Sequence, residues 1–389
     1  MIFRLGELFS GPGGLALAAS RASVESNGEE YKIIHGWAND MDADTCATYL
    51  QNIPGADIEN VLCQPVQSLD IPGLPSIDGL AFGFPCNDYS IAGEQKGLAG
   101  TFGPLYSYGE KVLNTHRPKW FVAENVGGLQ SANEGKAFQE ITSKLQAAGP
   151  GYMLTVHLYK FEQYGVAQTR HRIVIVGIER ALGLKFQVPA PTTLRPVTAS
   201  EALAGIPSDA LHNEASKHSD SVIERLKHIP AGENVWYKGL PSHMRLNVKT
   251  TTMSHIYRRL HPDKPSCTLT ASGGGGTHGY HWCENRELTN RERARIQSFP
   301  DDFAFAGSKE SIRKQIGMAV PPAGAQVIFE ALLKTFAGIP YPFVPARWEI
   351  EGSEDPASKA AGKPKRSKAV TTLSQKAQKN NTSSYQSTD

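Results

Sequence analysis

The chain of 389 residues has no long apolar run. Its most apolar stretch, Ile173 to Ile178, is far shorter than the ~20 residues that span a bilayer, so no membrane-spanning helix is expected. An excess of one charge is also missing. Lys and Arg number 40 against 38 Asp and Glu, a formal net charge of +2. That balance excludes a histone-like polybasic binder but not an enzyme with a local basic cleft. Cysteine is sparse and unpaired: Cys46, Cys63, Cys86, Cys267 and Cys283 are widely spaced and include no C-x-x-C pair. Neither a disulfide framework nor a metal site is supported, and a reducing, cytoplasmic setting is expected. The L-A-L-A-A-S stretch from Leu15 to Ser20 looks like a secretory cleavage site. Glu7 and the turn at Gly11 to Gly14 precede it and would break a signal core.

The chain is long enough for roughly two to three domains and for a core without staples. Over the first 178 residues strand-like and helix-like segments alternate. Strands are expected at Ile2 to Phe9, Lys32 to Asn39, Gly79 to Phe84, Trp120 to Glu124, Met153 to Tyr159 and Arg172 to Ile178. Helices are expected at Leu15 to Ser26, Asp44 to Asn52, Leu105 to Thr115 and Gly135 to Ala148. This alternation implies an α/β fold with a mainly parallel, doubly wound sheet covered on both faces. Residues 179–285 change character. They are rich in Pro, Gly, Ser and His and are expected to form a smaller, loop-rich domain. Helical signals return within 286–350, at Thr289 to Ser298 and at Pro321 to Phe336, where Pro starts a helix. Residues 351–389 are Lys-, Ser-, Gln- and Asn-rich and net basic, and are expected to be a disordered tail.

Four segments carry chemistry-bearing residues. Phe9 to Gly14, F-S-G-P-G-G, joins a strand to a helix, where glycine permits a tight turn or close approach to a ligand. Asp40, at the end of the next strand, is placed to accept hydrogen bonds from ribose hydroxyls. The spacing is not G-x-G-x-x-G, and an ordinary tight turn reads the segment equally well. Cys86 follows Pro85 on a strand-end loop at the same sheet edge, a position suited to an accessible nucleophilic thiolate. Glu124 ends an apolar strand, where a carboxylate is costly in a core and useful in a cleft. Arg170 and Arg172 share one face by the two-residue period and suit a phosphate or carboxylate, or an ordinary surface ion pair.

Taken in order, these segments resemble the DNA (cytosine-5)-methyltransferases of bacterial restriction-modification type. Phe9 to Gly14 resembles the family's F-x-G-x-G-G cofactor loop, Pro85-Cys86 its catalytic Pro-Cys, and Glu124-Asn125-Val126 its Glu-Asn-Val. Gln168 to Arg172 resembles Q-x-R-x-R. Arg286 to Asp301 resembles the long penultimate motif, and Gly317 to Pro322 the final G-N-A-V-P-P. The sequence departs from the pattern at Asn87, where many members carry Gln, and at Met318 in place of Asn. Met41 stands where an aromatic residue is common, and Pro65 where a second acid is expected. Three of these departures fall on the cofactor side.

The resemblance implies the methyltransferase sheet and methyl transfer from S-adenosyl-L-methionine to carbon 5 of cytosine. Cys86 would add to carbon 6 and make carbon 5 nucleophilic. Glu124 would serve ring nitrogen 3 as an acid, Arg170 would hold the base, and Arg172 would orient Glu124. The target must be flipped from the duplex. By the same resemblance the cofactor lies against Phe9, Gly11, Gly13, Gly14, Asp40, Met41, Pro85, Leu105, Ala319 and Val320. Residues 179–285 become the target-recognition domain. Ser90, Arg245, Lys249, Arg258, Thr270, Gly273 and Gly274 face double-stranded DNA, with Arg259 a further phosphate or guanine candidate. A monomer with a cognate restriction endonuclease is the expected setting. A tRNA cytosine-5 methyltransferase and a catalytically inactive DNA-binding relative are the alternatives.

Overall fold

The computed structural model describes residues 1–84, 105–130, 135–246, 253–271, 276–350 and 352–353. Strand β1 (Ile2–Leu8) leads through the glycine turn into helix α1 (Gly14–Arg21). The helix ends sooner than expected. Residues Ser23–Ser26 form strand β2, antiparallel to β3 (Glu29–Asp40), with Ser26 opposite Glu29. The two-residue turn between them is Asn27-Gly28, with φ of 53° and 76°. Paired positive φ values are the signature of the type I′ hairpin turn, which Asn-Gly favours. The helical pattern of small apolar residues stops where that turn takes over.

Helix α2 (Ala43–Asn52) is capped by the Asp42 carboxylate, which accepts from Thr45 N at 3.1 Å. Strands β4 (Val61–Cys63) and β5 (Gly79–Gly83), helix α3 (Tyr106–His116), strand β6 (Trp120–Val126) and helix α4 (Lys136–Ala147) follow. The hairpin of β7 (Tyr152–Lys160) and β8 (His171–Glu179) completes the sheet. Its order is β2-β3-β1-β5-β6-β8-β7, with β4 pairing to β3. β3, β1, β5 and β6 run parallel, while β8 is antiparallel to both neighbours.

Alternate residues of β6 enter different cores. Trp120 and Val122 pack with α1 and the last helix, whereas Phe121 and Ala123 pack with α3 and α4. The chain winds from β1 outward to β3, then returns to the other side of β1 as β5. The reversal places a topological switch point at the carboxyl ends of β1 and β5, where open α/β sheets bind ligands.

Beyond β8 come β9 (Val188–Pro189) and the short helices α5 (Ala199–Leu203) and α6 (Asp220–Lys227). A local core of Leu226, Ile229, Val235, Leu240, Ile256, Tyr257 and Tyr280 lies wholly within this stretch. Phe186 and Val188, by contrast, pack into the core around α1. Helix α7 (Asn290–Ile296) starts with a Thr289–Glu292 capping box. Helix α8 (Lys309–Met318), which has no counterpart in the sequence expectation, is capped by Ser308 and buries Ile312 and Ile316. Helix α9 (Pro322–Ala337) then covers the sheet, and β10 (Phe343–Val344) pairs with β9. The stretch Lys309–Ala337 is long and apolar enough in composition to cross a membrane. It is two helices broken at Ala319 to Pro321, and 72% of its most apolar window is buried in the core.

Candidate active site

The loop after β1 is built at unusual backbone angles. Phe9 has φ 53°, Gly11 55° and Gly13 94°. A bulky residue at positive φ stores roughly 1–3 kcal/mol, so its surroundings must hold it there. They do so from the end of β3. Ser10 N donates to Asn39 O at 3.1 Å, and Gly11 N donates to Asp40 Oδ2 at 2.9 Å. The other Asp40 oxygen accepts from Asp42 N at 3.1 Å. Burial nevertheless raises the Asp40 carboxyl above its ordinary value, against these backbone donors.

The glycines of the loop have separate reasons. A Cβ at Gly14 would lie 2.3 Å from Val320 O, so only glycine lets the segment after α8 cross this close. A Cβ at Gly13 would meet Ile53 at 2.8 Å and Tyr49 at 3.1 Å, on α2 and at its end. A Cβ at Gly11 would meet nothing within 4 Å among the described residues, which leaves open space above the loop. Ala319 and Val320 are buried beside this crossing, Leu105 is buried in the same core that Phe9 packs against, and Met41 is 72% exposed. The structure thus brings Gly11 to Asp40 and Gly14 to Val320, while Met41 points away from that packing.

Glu124 stands in register with Gly83 of β5. Its Oε1 lies 3.0 Å from Arg172 Nε, and both side chains are largely buried, at 12% and 13% exposure. Burial raises the Glu124 carboxyl above its ordinary value, while the charges of Arg172 and Arg170 pull the other way. Asn125 is buried, and its Nδ2 donates to Phe84 O at 3.0 Å. Phe84 is the last described residue before Pro85, Cys86 and Ser90, which lie outside the described residues, as do Asn87, Lys249, Gly273, Gly274 and all but Gly352 and Ser353 of 351–389.

Arg170 and Arg172 have different partners. Arg170 is 2% exposed, and its guanidinium donates to Leu269 O at 3.3 Å, Gly317 O at 3.1 Å and Met318 O at 3.4 Å. It ties the start of β8 to two distant segments. The same seam is sewn by Thr169 N to Ser266 O at 2.8 Å, Ser266 N to Ala167 O at 2.9 Å and Leu269 N to Gln168 Oε1 at 3.1 Å. A Cβ at Gly317 would lie 2.4 Å from Ala271 N, so α8 ends directly against the backbone at Thr270 and Ala271. Thr270 itself is exposed.

Arg245 is exposed, but its Nε and Nη2 already donate to Leu240 O and Lys238 O, at 3.1 Å each. Arg258 is half-buried. Arg259 corrects the sequence expectation. It is 4% exposed and donates to the carbonyls of His281, Leu226, Ile229 and Glu284 and to Asn285 Oδ1. An arginine enclosed by its own chain cannot also meet a phosphate. Cys46, Cys63, Cys267 and Cys283 are free thiols. Among the described residues no three His, Cys, Asp or Glu side chains gather as a metal site would require.

One polar group near the glycine loop has no role in the site as read from the sequence. Glu7 on β1 is 1% exposed, with Tyr49 Oη 3.0 Å from its Oε2. Its signal was a lone carboxylate inside an apolar strand, where burial demands a partner.

The chain resembles named methyltransferases over most of its length. It is 58% identical to the Type II methyltransferase M.BbvI of Brevibacillus brevis, over 90% of this chain and 96% of the relative. It is 42% identical to M.NgoFVII of Neisseria gonorrhoeae, over 85% and 86%. Among solved structures, a DNA modification methyltransferase encoded within an E. coli prophage shares the fold. Its TM-score is 0.65 at 22% identity, covering 86% of this chain and 99% of that one. The methyltransferase EhMeth of Entamoeba histolytica does so at a TM-score of 0.60 and 17% identity, covering 86% and 99%. A family model described as C-5 cytosine-specific DNA methylase matches residues 3–334, and the chain belongs to that family.

Proposed function

We infer that the protein transfers a methyl group from S-adenosyl-L-methionine to carbon 5 of a cytosine flipped out of a specific duplex DNA sequence. The observation that carries this reading is the Glu124–Arg172 pair, beside β5 and two strands from the glycine loop at the switch point. The cofactor would supply an electrophilic methyl carried on a sulfonium. Gly11 leaves room for it, Gly13 and Gly14 let the loop pack closely against α2 and Val320, Phe9 and Leu105 offer an apolar wall, and Asp40 retains lone pairs for ribose hydroxyls.

The chain's own residues perform the rest. The Cys86 thiolate adds to carbon 6 of the ring. Glu124, its carboxyl raised by burial, gives a proton to nitrogen 3, so the electron pair gathers at carbon 5. Carbon 5 takes the methyl, then loses its proton to solvent water as the Cys86–carbon 6 bond breaks, and nitrogen 3 returns its proton to Glu124, which restores the ring, the thiolate and the acid. Arg172 fixes the Glu124 carboxyl in the orientation this requires. Arg170 acts by holding the walls of the site together through its three carbonyl contacts. The carbonyls it binds belong to Leu269 and to the end of α8, so it would couple target recognition to the catalytic body.

Residues 179–285 would read the target, with Ser90, Arg245, Lys249, Arg258, Thr270, Gly273 and Gly274 toward DNA. Residues 1–178 and 286–350 would form the catalytic body, and 351–389 a basic tail. The Type II names of M.BbvI and M.NgoFVII support pairing with a restriction endonuclease for the same site, and we take the enzyme to act as a cytoplasmic monomer. The test is transfer of labelled methyl to DNA or tRNA, followed by bisulfite mapping of DNA from cells expressing the protein. A single methylated sequence context is expected, lost in Cys86→Ser because a hydroxyl is a far weaker nucleophile. Transfer to tRNA alone, or full turnover by Cys86→Ser, would overturn the reading.

A further inference from the structure

Glu7, Tyr49, His35 and Asn60 form one hydrogen-bonded chain behind the glycine loop. Tyr49 Oη is 3.0 Å from Glu7 Oε2 and 3.2 Å from His35 Nδ1, and His35 Nε2 is 2.8 Å from Asn60 Oδ1. The direction of each bond follows from its far end. Asn60 Nδ2 donates to Gly55 O at 2.9 Å, and Asn60 Oδ1 accepts from Asp57 N at 2.9 Å, so the amide's orientation is fixed. His35 Nε2 must then donate to Asn60 Oδ1. A neutral imidazole has one N–H, so His35 Nδ1 accepts, and the Tyr49 hydroxyl spends its only proton there. The Tyr49 oxygen can then only accept from Glu7, which requires the carboxyl to carry a proton.

The opposite arrangement needs His35 as imidazolium and Glu7 as carboxylate. Burial works against both: it depresses His35 and pushes Glu7 up to about 8. Among the described residues, the titratable groups facing Glu7 are Tyr49 from α2 and Asp40 from β3, with His35, also on β3, behind Tyr49. The paired residue on β5 is Ala81, which carries no charge. Among the described residues, no cation figures among the influences on the Glu7 carboxyl.

Tyr49 is also the floor of the cofactor loop, since a Cβ on Gly13 would touch its ring. Resting on the cofactor reading above, we propose that Glu7 is a neutral carboxylic acid that donates to Tyr49 and thereby positions the glycine loop to bind S-adenosyl-L-methionine. Glu7 is a positioning residue. Loss of its proton turns a donor into an acceptor, so Tyr49 must release His35 to keep a bond to Glu7, and the loop's support shifts.

The test compares full-length wild type with Glu7→Gln, which keeps a neutral N–H donor of the same shape. S-adenosyl-L-methionine binding is titrated calorimetrically from about pH 7 to 9.5, and the ratio of the two dissociation constants is plotted, so that titration of the cofactor itself cancels. If only protonated Glu7 supports binding, the ratio stays near one at neutral pH and rises roughly tenfold by about pH 9. Infrared spectra at neutral pH should contain a protonated-carboxyl band that is missing from Glu7→Gln. A constant ratio with no such band, or wild-type affinity that tightens with pH, would show Glu7 acting as an anion and overturn the proposal. No binding by either protein at any pH would overturn the cofactor reading and with it the positioning role, while the infrared band would still decide the protonation of Glu7.

Discussion

Arg172 reaches Glu124 diagonally across the antiparallel pair β6–β8. Arg172 stands opposite Val126, two residues along the strand from Glu124, so both side chains leave the same face, and Nε and Oε1 meet at 3.0 Å. A hairpin strand running against both of its neighbours therefore delivers a cation to the carboxyl end of a parallel strand. The pairing gives Glu124 two properties an acid catalyst needs, a fixed direction and a proton affinity set by its surroundings.

Glu124→Gln should reduce kcat by roughly 10²- to 10⁴-fold with little change in cofactor binding, because the amide keeps the packing but cannot give up a proton. Arg172→Ala should also lower kcat. In addition it removes the nearest group that pulls the Glu124 carboxyl down, so that carboxyl should rise further. The limb of the kcat/KM profile on which the acid form is lost should move to higher pH. An unmoved limb in Arg172→Ala would assign that limb to another group.

Gly14→Ala should destabilise the protein by ~1–3 kcal/mol, because the added methyl would sit 2.3 Å from a backbone carbonyl that cannot rotate away. The same change at Gly11 has free space and should cost little packing energy. Its cost comes from the positive φ and from any ligand that occupies the space above the loop. Thermal melts with and without S-adenosyl-L-methionine separate the two. Gly14→Ala should melt lower in both conditions, and Gly11→Ala should lose more of the cofactor-induced shift.

The parallel strands and the positions of the glycine loop, Asp40 and Glu124 were legible because each lies where an apolar strand meets a polar or glycine residue. The β2 hairpin was hidden by the small apolar residues before it, although Asn27-Gly28 carried the turn signal. Helix α8 was masked by Gly317, which belongs there for close backbone approach rather than to end a helix. The roles of Arg170 and Arg259 were not readable locally. Both spend their donors on carbonyls far away in the chain, and only the folded path brings those carbonyls near.

Glu7 gives the protein's stability a specific pH dependence. Its folded value of about 8 stands above the ordinary 4.5, so the folded chain holds a proton that the unfolded chain releases between those values. Stability from this group is complete below about pH 4.5 and declines as pH rises toward about 8, by roughly 1.4 kcal/mol per unit at most. Urea unfolding at a series of pH values should show that decline in wild type. Glu7→Gln, which binds no proton, should lose this component, and equal slopes for the two proteins would mean that Glu7 titrates normally.

Arg258 and Arg259 are neighbours with opposite expectations. Arg258 is half-buried, whereas Arg259 donates to five oxygens from two stretches of chain, including Leu226 and Ile229 in the local core. Arg259→Ala leaves several buried carbonyls without a donor, at ~1–3 kcal/mol for each group left unsatisfied. It should lower the melting temperature and loosen residues 222–285. Activity on DNA should fall for every sequence alike, as the whole recognition surface loses its support. Arg258→Ala should melt close to wild type and change DNA affinity or sequence discrimination instead, with a shallower salt dependence if a phosphate contact is lost. Methylation across a pool of random duplexes at two salt concentrations, alongside thermal melts, distinguishes the two. Normal stability of Arg259→Ala together with an altered consensus sequence would show that Arg259 reads DNA, and would overturn its assignment as an internal brace.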